Sequence, residues 1–196
     1  MASIRTFTLP HYEAYPVHVA VFKHVKNAAF LRSQLLAANP EFDYAFLDAS
    51  MILSPTHLQT ALFTTLHHLL THRLKTHTPH SELVFRLSPT NNIGDSYRVF
   101  GIADTSTHII AVKLCVRGDG SVDEGVTAGG VGAHLGRVVE GESVAVGEEG
   151  RELGEGCDLG RVGKVYKLGM GKGVGDGERR REMEGVVLGM IALKGT

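Results

Sequence analysis

Residues 1–100 hold a single glycine, Gly94, whereas the other 23 of the chain's 24 fall between Gly101 and Gly195. Glycine loses more backbone freedom on ordering than any other residue, so it weakens helices and strands alike. Regular elements should therefore be dense in the first half, and sparse with glycine-rich connections in the second. The glycine spacing is irregular, which excludes a collagen repeat.

The glycine-poor part alternates between two hydrophobic periods. Val17–Phe22 is β-branched at alternate positions, as a half-buried strand requires. Asn27 stands where a cap would start a helix with Ala28, Leu31, Leu35 and Ala38 on one face, stopped by Asn39-Pro40. Tyr44–Leu47 reads as a short buried strand. Ser54 followed by Pro55 is a helix start, because proline fits the first turn at no cost in hydrogen bonds. Leu58, Leu62, Leu66, Leu69 and Leu70 continue that helix to about Lys75. Leu83–Leu87 and Ile109–Val116 read as two more strands. Between them, Asn91 or Asn92 caps a short helix ending at Gly101.

Beyond Arg117 the pattern predicts a helix over Val131–Val139, a strand over Val144–Val146 and a helix over Leu159–Leu168. Residues 118–130 and 169–177 read as flexible glycine-rich loops. Met183, Val186, Val187, Met190 and Ile191 then follow the i, i+3, i+4, i+7, i+8 spacing of one apolar helix face. Gly185 and Gly189 weaken that helix by about 1 kcal/mol each relative to alanine. It must dock either on the chain's own sheet or on a partner. The expected fold is a single α/β domain over residues 1–196. A mixed or antiparallel sheet of about four to five strands is flanked by helices, with a docked C-terminal helix.

Several function classes drop out. The formal net charge is −1, with 8 basic and 6 acidic side chains in residues 1–100 and 12 and 15 in the remainder. Nucleic acid would thus have to be met by a local patch rather than a global field. No apolar run approaches a membrane span, and Cys115 and Cys157 alone suggest a reducing compartment. The glycine clusters form neither G-x-G-x-x-G nor a Walker loop, and no G-x-S-x-G is present. Nine of eleven histidines lie in the first half, and His68 and His72 are one helical turn apart. Without H-E-x-x-H or a nearby ligand-like cysteine or carboxylate, this reads as a solvated helix flank rather than a metal site. The competing reading is a small enzyme or a metal- or ligand-binding domain with a pocket near His57–His72. Arg179-Arg180-Arg181 stands at the unfavourable end of the last helix, either frayed or facing an anionic partner.

One set of residues is familiar in its order. Val21-Phe22-Lys23, Val25-Lys26-Asn27-Ala28 and Leu31-Arg32 are followed by the Ser54–His57 helix start. Ser81–Phe85, Leu87-Ser88-Pro89, Asn91-Asn92-Ile93, Phe100-Gly101-Ile102 and Val165–Leu168 complete the series. Together they resemble the PRPK-binding (TPRKB-type) family, the kinase-binding subunit of the EKC/KEOPS complex, in a fungal form. The resemblance implies a non-catalytic adaptor without metal or cofactor, in a complex that attaches threonylcarbamoyl to an adenosine beside the tRNA anticodon. Its implied partners are the complex's atypical small kinase, the single-stranded 3′ CCA end of tRNA and, indirectly, the other subunits, with no membrane. The implied location is nucleus and cytoplasm, with telomeric chromatin as a further site. On that reading Asn91, Asn92 and Ile93 meet the RNA end, and Arg73, Lys75 and Arg98 supply phosphate contacts. A plain helix-cap role for the two asparagines stays open. Met183, Val186, Val187, Met190 and Ile191 would face the kinase, or else the chain's own sheet.

Overall fold

The computed structural model describes residues 1–169 and 175–194. Its strands are β1 (Arg5–Phe7), β2 (Val17–Lys23), β3 (Ala45–Asp48), β4 (Ile109–Leu114) and β5 (Glu142–Val144). Its helices are α1 (Ala28–Leu36), α2 (Pro55–Leu70), α3 (Pro79–Leu87), α4 (Ile93–Phe100), α5 (Ala128–Val138), α6 (Glu152–Glu155), α7 (Leu159–Val165) and α8 (Asp176–Leu193). Among the described residues no helix is long and apolar enough to cross a membrane.

The strands form one antiparallel sheet in the order β1-β2-β4-β3, and β5 also pairs with β2. β4 takes one edge of β2, while β1 and β5 share the other at opposite ends. Alternation sorts the side chains onto two faces. Val17, Val19 and Val21 join Ile110, Val112 and Leu114 in a core completed by α2, α3 and α8. Ala20, Phe22, Phe46, Ile109 and Ala111 point the other way, onto Leu31 of α1 and Leu135 of α5. The expected α/β sandwich with its docked last helix is what forms.

Local starts follow the expected chemistry. Ser54 Oγ accepts from His57 N at 3.1 Å, and Pro55 occupies the first turn. Asn27 sits at the N-cap of α1 but spends its amide elsewhere: Nδ2 donates to Val138 O, and Oδ1 accepts from Glu140 N.

One element differs in kind. Residues Leu83–Leu87, expected as a strand, are the end of helix α3. Thr78 caps that helix by accepting from Ser81 N, and Pro79 opens its first turn. Eight of its nine residues are buried, polar Glu82 and Arg86 among them, and the short apolar stretch Leu83–Phe85 with Leu87 fits a buried strand as well as a buried helix. Two boundaries also move. α2 stops at Leu70, with His72 in the left-handed region at φ 56°, so Arg73 and Lys75 lie on the link to α3 rather than closing a helix. β1 was not foreseen. Of the two glycine-rich loops, residues 128–130 form the first turn of α5, residues 170–174 lie outside the described residues, and α8 already begins at Asp176.

Candidate functional site

The last helix divides the predicted apolar face in two. Met183, Val187 and Ile191, spaced by four, are buried in the core beneath α2. Val186 and Met190 turn outward, 46% and 38% exposed, and Leu193, which sequence reasoning left out, is 71% exposed one turn further on. Gly185 and Gly189 lie on this outer side, and a Cβ at either would meet nothing within 4 Å. An outer apolar stripe flanked by two glycines lets another backbone approach closely.

α8 is tied down along its length. Arg180, the middle of the arginine triplet, donates to the carbonyls of Leu53 and Gly154. Asp176 and Glu178 supply the acidic groups that suit the helix's positive end. Ser54 Oγ donates to Glu184. At the far end, Arg86 Nη1 donates to Lys194 O at 2.8 Å, and Lys194 Nζ donates to the carbonyls of Phe85 and Ser88.

Arg86 is fully buried and is the hub of this end. Its Nε donates to Glu82 Oε1 at 2.7 Å and its Nη2 to His68 Nδ1 at 3.2 Å. The other Glu82 oxygen accepts from the backbone N–H groups of Lys75 and Thr76. Burial, and then the adjacent Arg86 charge, bring the Lys194 ammonium down to about 7.

His57, expected at the edge of a pocket in the competing reading, is instead enclosed. Its Nδ1 accepts from Leu53 N at 3.1 Å, which leaves the proton on Nε2 to meet Tyr166 Oη at 3.1 Å. Tyr166 Oη in turn donates to Leu87 O. Burial pushes the His57 imidazole down to about 3 and the Tyr166 hydroxyl well above its ordinary value. Among the described residues no three His, Cys, Asp or Glu side chains converge as a metal would require.

The asparagine loop leads into α4, and Asn92 is its cap: Oδ1 accepts from Asp95 N at 3.0 Å. Asn91 is exposed, and Ile93 and Tyr97 stand one turn apart on the surface, 41% and 37% exposed. Arg98, held loosely by Asp95 at 3.0 Å, lies beside them. Gly94, Tyr97 and Arg98 form one wall of a cavity of about 1000 Å³. Arg32 of α1, Tyr44 ahead of the edge strand β3, and His80 of α3 line the rest of its mouth and floor. His80 is oriented by its neighbours: Leu114 N donates to Nε2, so Nδ1 carries the proton toward Asp43, 3.0 Å away. Lys113 holds the same carboxylate at 3.1 Å. Burial would raise Asp43, but His80 and Lys113 hold it below the usual carboxylate range.

Ile93 and Arg98 are thus on the helix that the asparagines lead into, Arg73 and Lys75 sit exposed on the α2–α3 link, and of these site residues only Arg98 lines the cavity. Arg32, Tyr44 and Tyr97 were missed. Tyr97 had a signal, since it follows Ile93 by four; Arg32 and Tyr44 are distant in sequence and had none.

Comparison with known proteins identifies the family. The family model for the kinase binding protein CGI-121 matches residues 22–195. A protein of Phaeosphaeria nodorum, named EKC/KEOPS complex subunit CGI121, is 55% identical over 99% of this chain and 100% of its own length. The Aspergillus fumigatus protein of that name is 44% identical over 98% and 97%. The Candida glabrata one is 30% identical over 96% and 98%. The chain belongs to the CGI-121 family of kinase-binding proteins.

Proposed function

We propose that this chain is a non-catalytic subunit of the EKC/KEOPS complex that grips the complex's small atypical kinase with one surface and the 3′ CCA end of tRNA with another. The observation that carries the reading is the division of α8. Three apolar residues satisfy the chain's own core, and Val186 and Met190 remain displayed with no internal use. Exposed aliphatic residues beside open glycines suit a flat apolar partner such as the lobe of a kinase.

The RNA end would lie along α4. Unpaired nucleotides are held by bases splayed against apolar or aromatic side chains, with cations near the phosphates. Ile93 and Tyr97 offer the stacking surface, Asn91 a donor and an acceptor, and Arg98 and Arg32, each in an exposed ion pair with Asp95 or Asp104, the charge that a phosphate would have to draw away. This local patch is what a chain of near-zero net charge needs in order to hold RNA. The proposed location is nucleus and cytoplasm, where tRNA is modified.

Two measurements test the reading. Affinity purification of the chain from native extract should recover the small kinase; its absence would remove the kinase half of the proposal. Ile93→Glu should weaken binding of an acceptor-stem minihelix ending in CCA by roughly tenfold, the worth of one stacked base. Melting should stay unchanged because Ile93 is at the surface. Unaltered affinity would remove α4 from the RNA site.

A further inference from the structure

The two proposed surfaces are not independent in the structure. The C-terminal turn of α3 leaves carbonyls that the helix itself cannot satisfy. Side chains from the second half of the chain satisfy them. Tyr166 Oη donates to Leu87 O, and Lys194 Nζ donates to Phe85 O and, at 2.7 Å, to Ser88 O. The ammonium also stands 3.5 Å from the centre of the Phe85 ring. Arg86 closes the arrangement by donating back to Lys194 O. Ser88 begins the loop that ends in the Asn92 cap and Ile93, and its hydroxyl holds Thr90 N at 3.2 Å. Lys194 is the C-cap of α8. A single side chain therefore ties the end of the proposed kinase helix to the start of the proposed RNA loop.

We infer that Lys194 is a positioning residue through which docking of α8 fixes the Ser88–Ile93 loop, so that a partner covering the outer face of α8 strengthens the loop's hold on RNA. This rests on the two surfaces assigned above. When α8 lifts, Ser88 O loses its donor, Phe85 O keeps only the Ser88 N–H, and the loop loses its fixed origin. A ligand that binds only the docked form suppresses that lifting, and by linkage RNA held by the ordered loop favours the kinase in return. Lifting has to break the buried contacts of Met183, Val187 and Ile191 and the bonds of Arg180, Glu184 and Lys194, and Gly177, Gly185 and Gly189 add no side-chain contact against it.

Amide hydrogen exchange on the full chain, alone and saturated with the purified kinase, reads this directly. The kinase is expected to slow exchange of the Thr90–Ser96 amides in the unmodified chain by roughly fivefold, a modest change in local opening. In Lys194→Met that slowing should disappear while kinase still binds, and Lys194→Arg should restore part of it. Gly185→Ala with Gly189→Ala, measured without kinase, should slow the same amides by roughly tenfold or more, since each substitution favours the helix. The first pair of measurements asks whether Lys194 carries the coupling; the second stands even where Lys194→Met fails to fold. Equal slowing in Lys194→Met and the unmodified chain would overturn the inference. So would kinase binding without slowing, or an alanine pair that leaves these amides unchanged. Failure of the kinase to bind the unmodified chain would instead overturn the function on which the inference rests.

Discussion

α5 and α8 are both glycine-containing helices, and they use glycine for opposite reasons. In α5, Gly132 and Gly136 make room for the first residues of the chain. A Cβ on Gly136 would stand 2.8 Å from Ala2 N and 2.9 Å from Met1 Cα, and one on Gly132 would stand 2.8 Å from Ala2 O. Those contacts are closer than a side chain can make, so the packing requires glycine. In α8 a Cβ on Gly185 or Gly189 would meet nothing. There the chain itself has no need of glycine, and the cost in helix stability is left unexplained by its own packing. The difference separates a face closed by the chain itself from one it leaves open, which is where the proposed partner would sit.

The closed side should fail first and hardest, and acid is the strongest way to break it. His57 is buried neutral, its imidazole held at about 3 against an ordinary 6.5. Between those values the unfolded chain binds a proton that the folded one refuses, so stability rises with pH through this window and is lost as pH falls from 6.5 toward 3. The full loss is on the order of 5 kcal/mol. Urea unfolding from pH 7 to pH 4 checks it, and His57→Gln should flatten the dependence. Next in size, Val187→Asp would place an unpaired carboxylate in the core beneath α2 and should cost about 4 kcal/mol. Its counterpart on the outer face, Val186→Asp, should stay within about 0.5 kcal/mol. Calorimetric melting of the pair tests whether α8 really has two sides.

The smallest effects sharpen the glycine comparison itself. Gly136→Ala should destabilise by about 2 kcal/mol, because backbone rather than a flexible side chain must move. Gly185→Ala should stabilise by about 0.5–1 kcal/mol, because nothing opposes the gain in helix propensity. Opposite signs for one substitution in two helices are the expected result in chemical denaturation; like signs would erase the distinction.

Much of this was legible in the sequence, and the failures have physical causes. Caps and prolines read well because they act locally: Ser54-Pro55 and Asn92 start helices where expected. α3 was misread because its short apolar stretch Leu83–Phe85 with Leu87 fits a buried strand as well as a buried helix, although Thr78-Pro79 announced the helix. The face of α8 was found, but its division was not. Val186 and Val187 are adjacent in sequence, yet one is exposed and the other buried, and only the position of α2 decides which is inside. The cavity was illegible for another reason. Its walls come from α1, the β3 edge, α3 and α4, and no local spacing brings Arg32 to Arg98. The Glu82–Arg86 pair had the i, i+4 spacing of a surface helix pair, and its burial again depends on tertiary packing.

The central claim is that the outer stripe of α8 receives the kinase. Calorimetric titration of the purified small kinase into the unmodified chain and into Met190→Asp tests it most directly. The account predicts that Met190→Asp weakens binding by roughly tenfold or more, as an apolar interface contact would, with an unchanged melting temperature. Undiminished affinity in a normally folded Met190→Asp chain would contradict it.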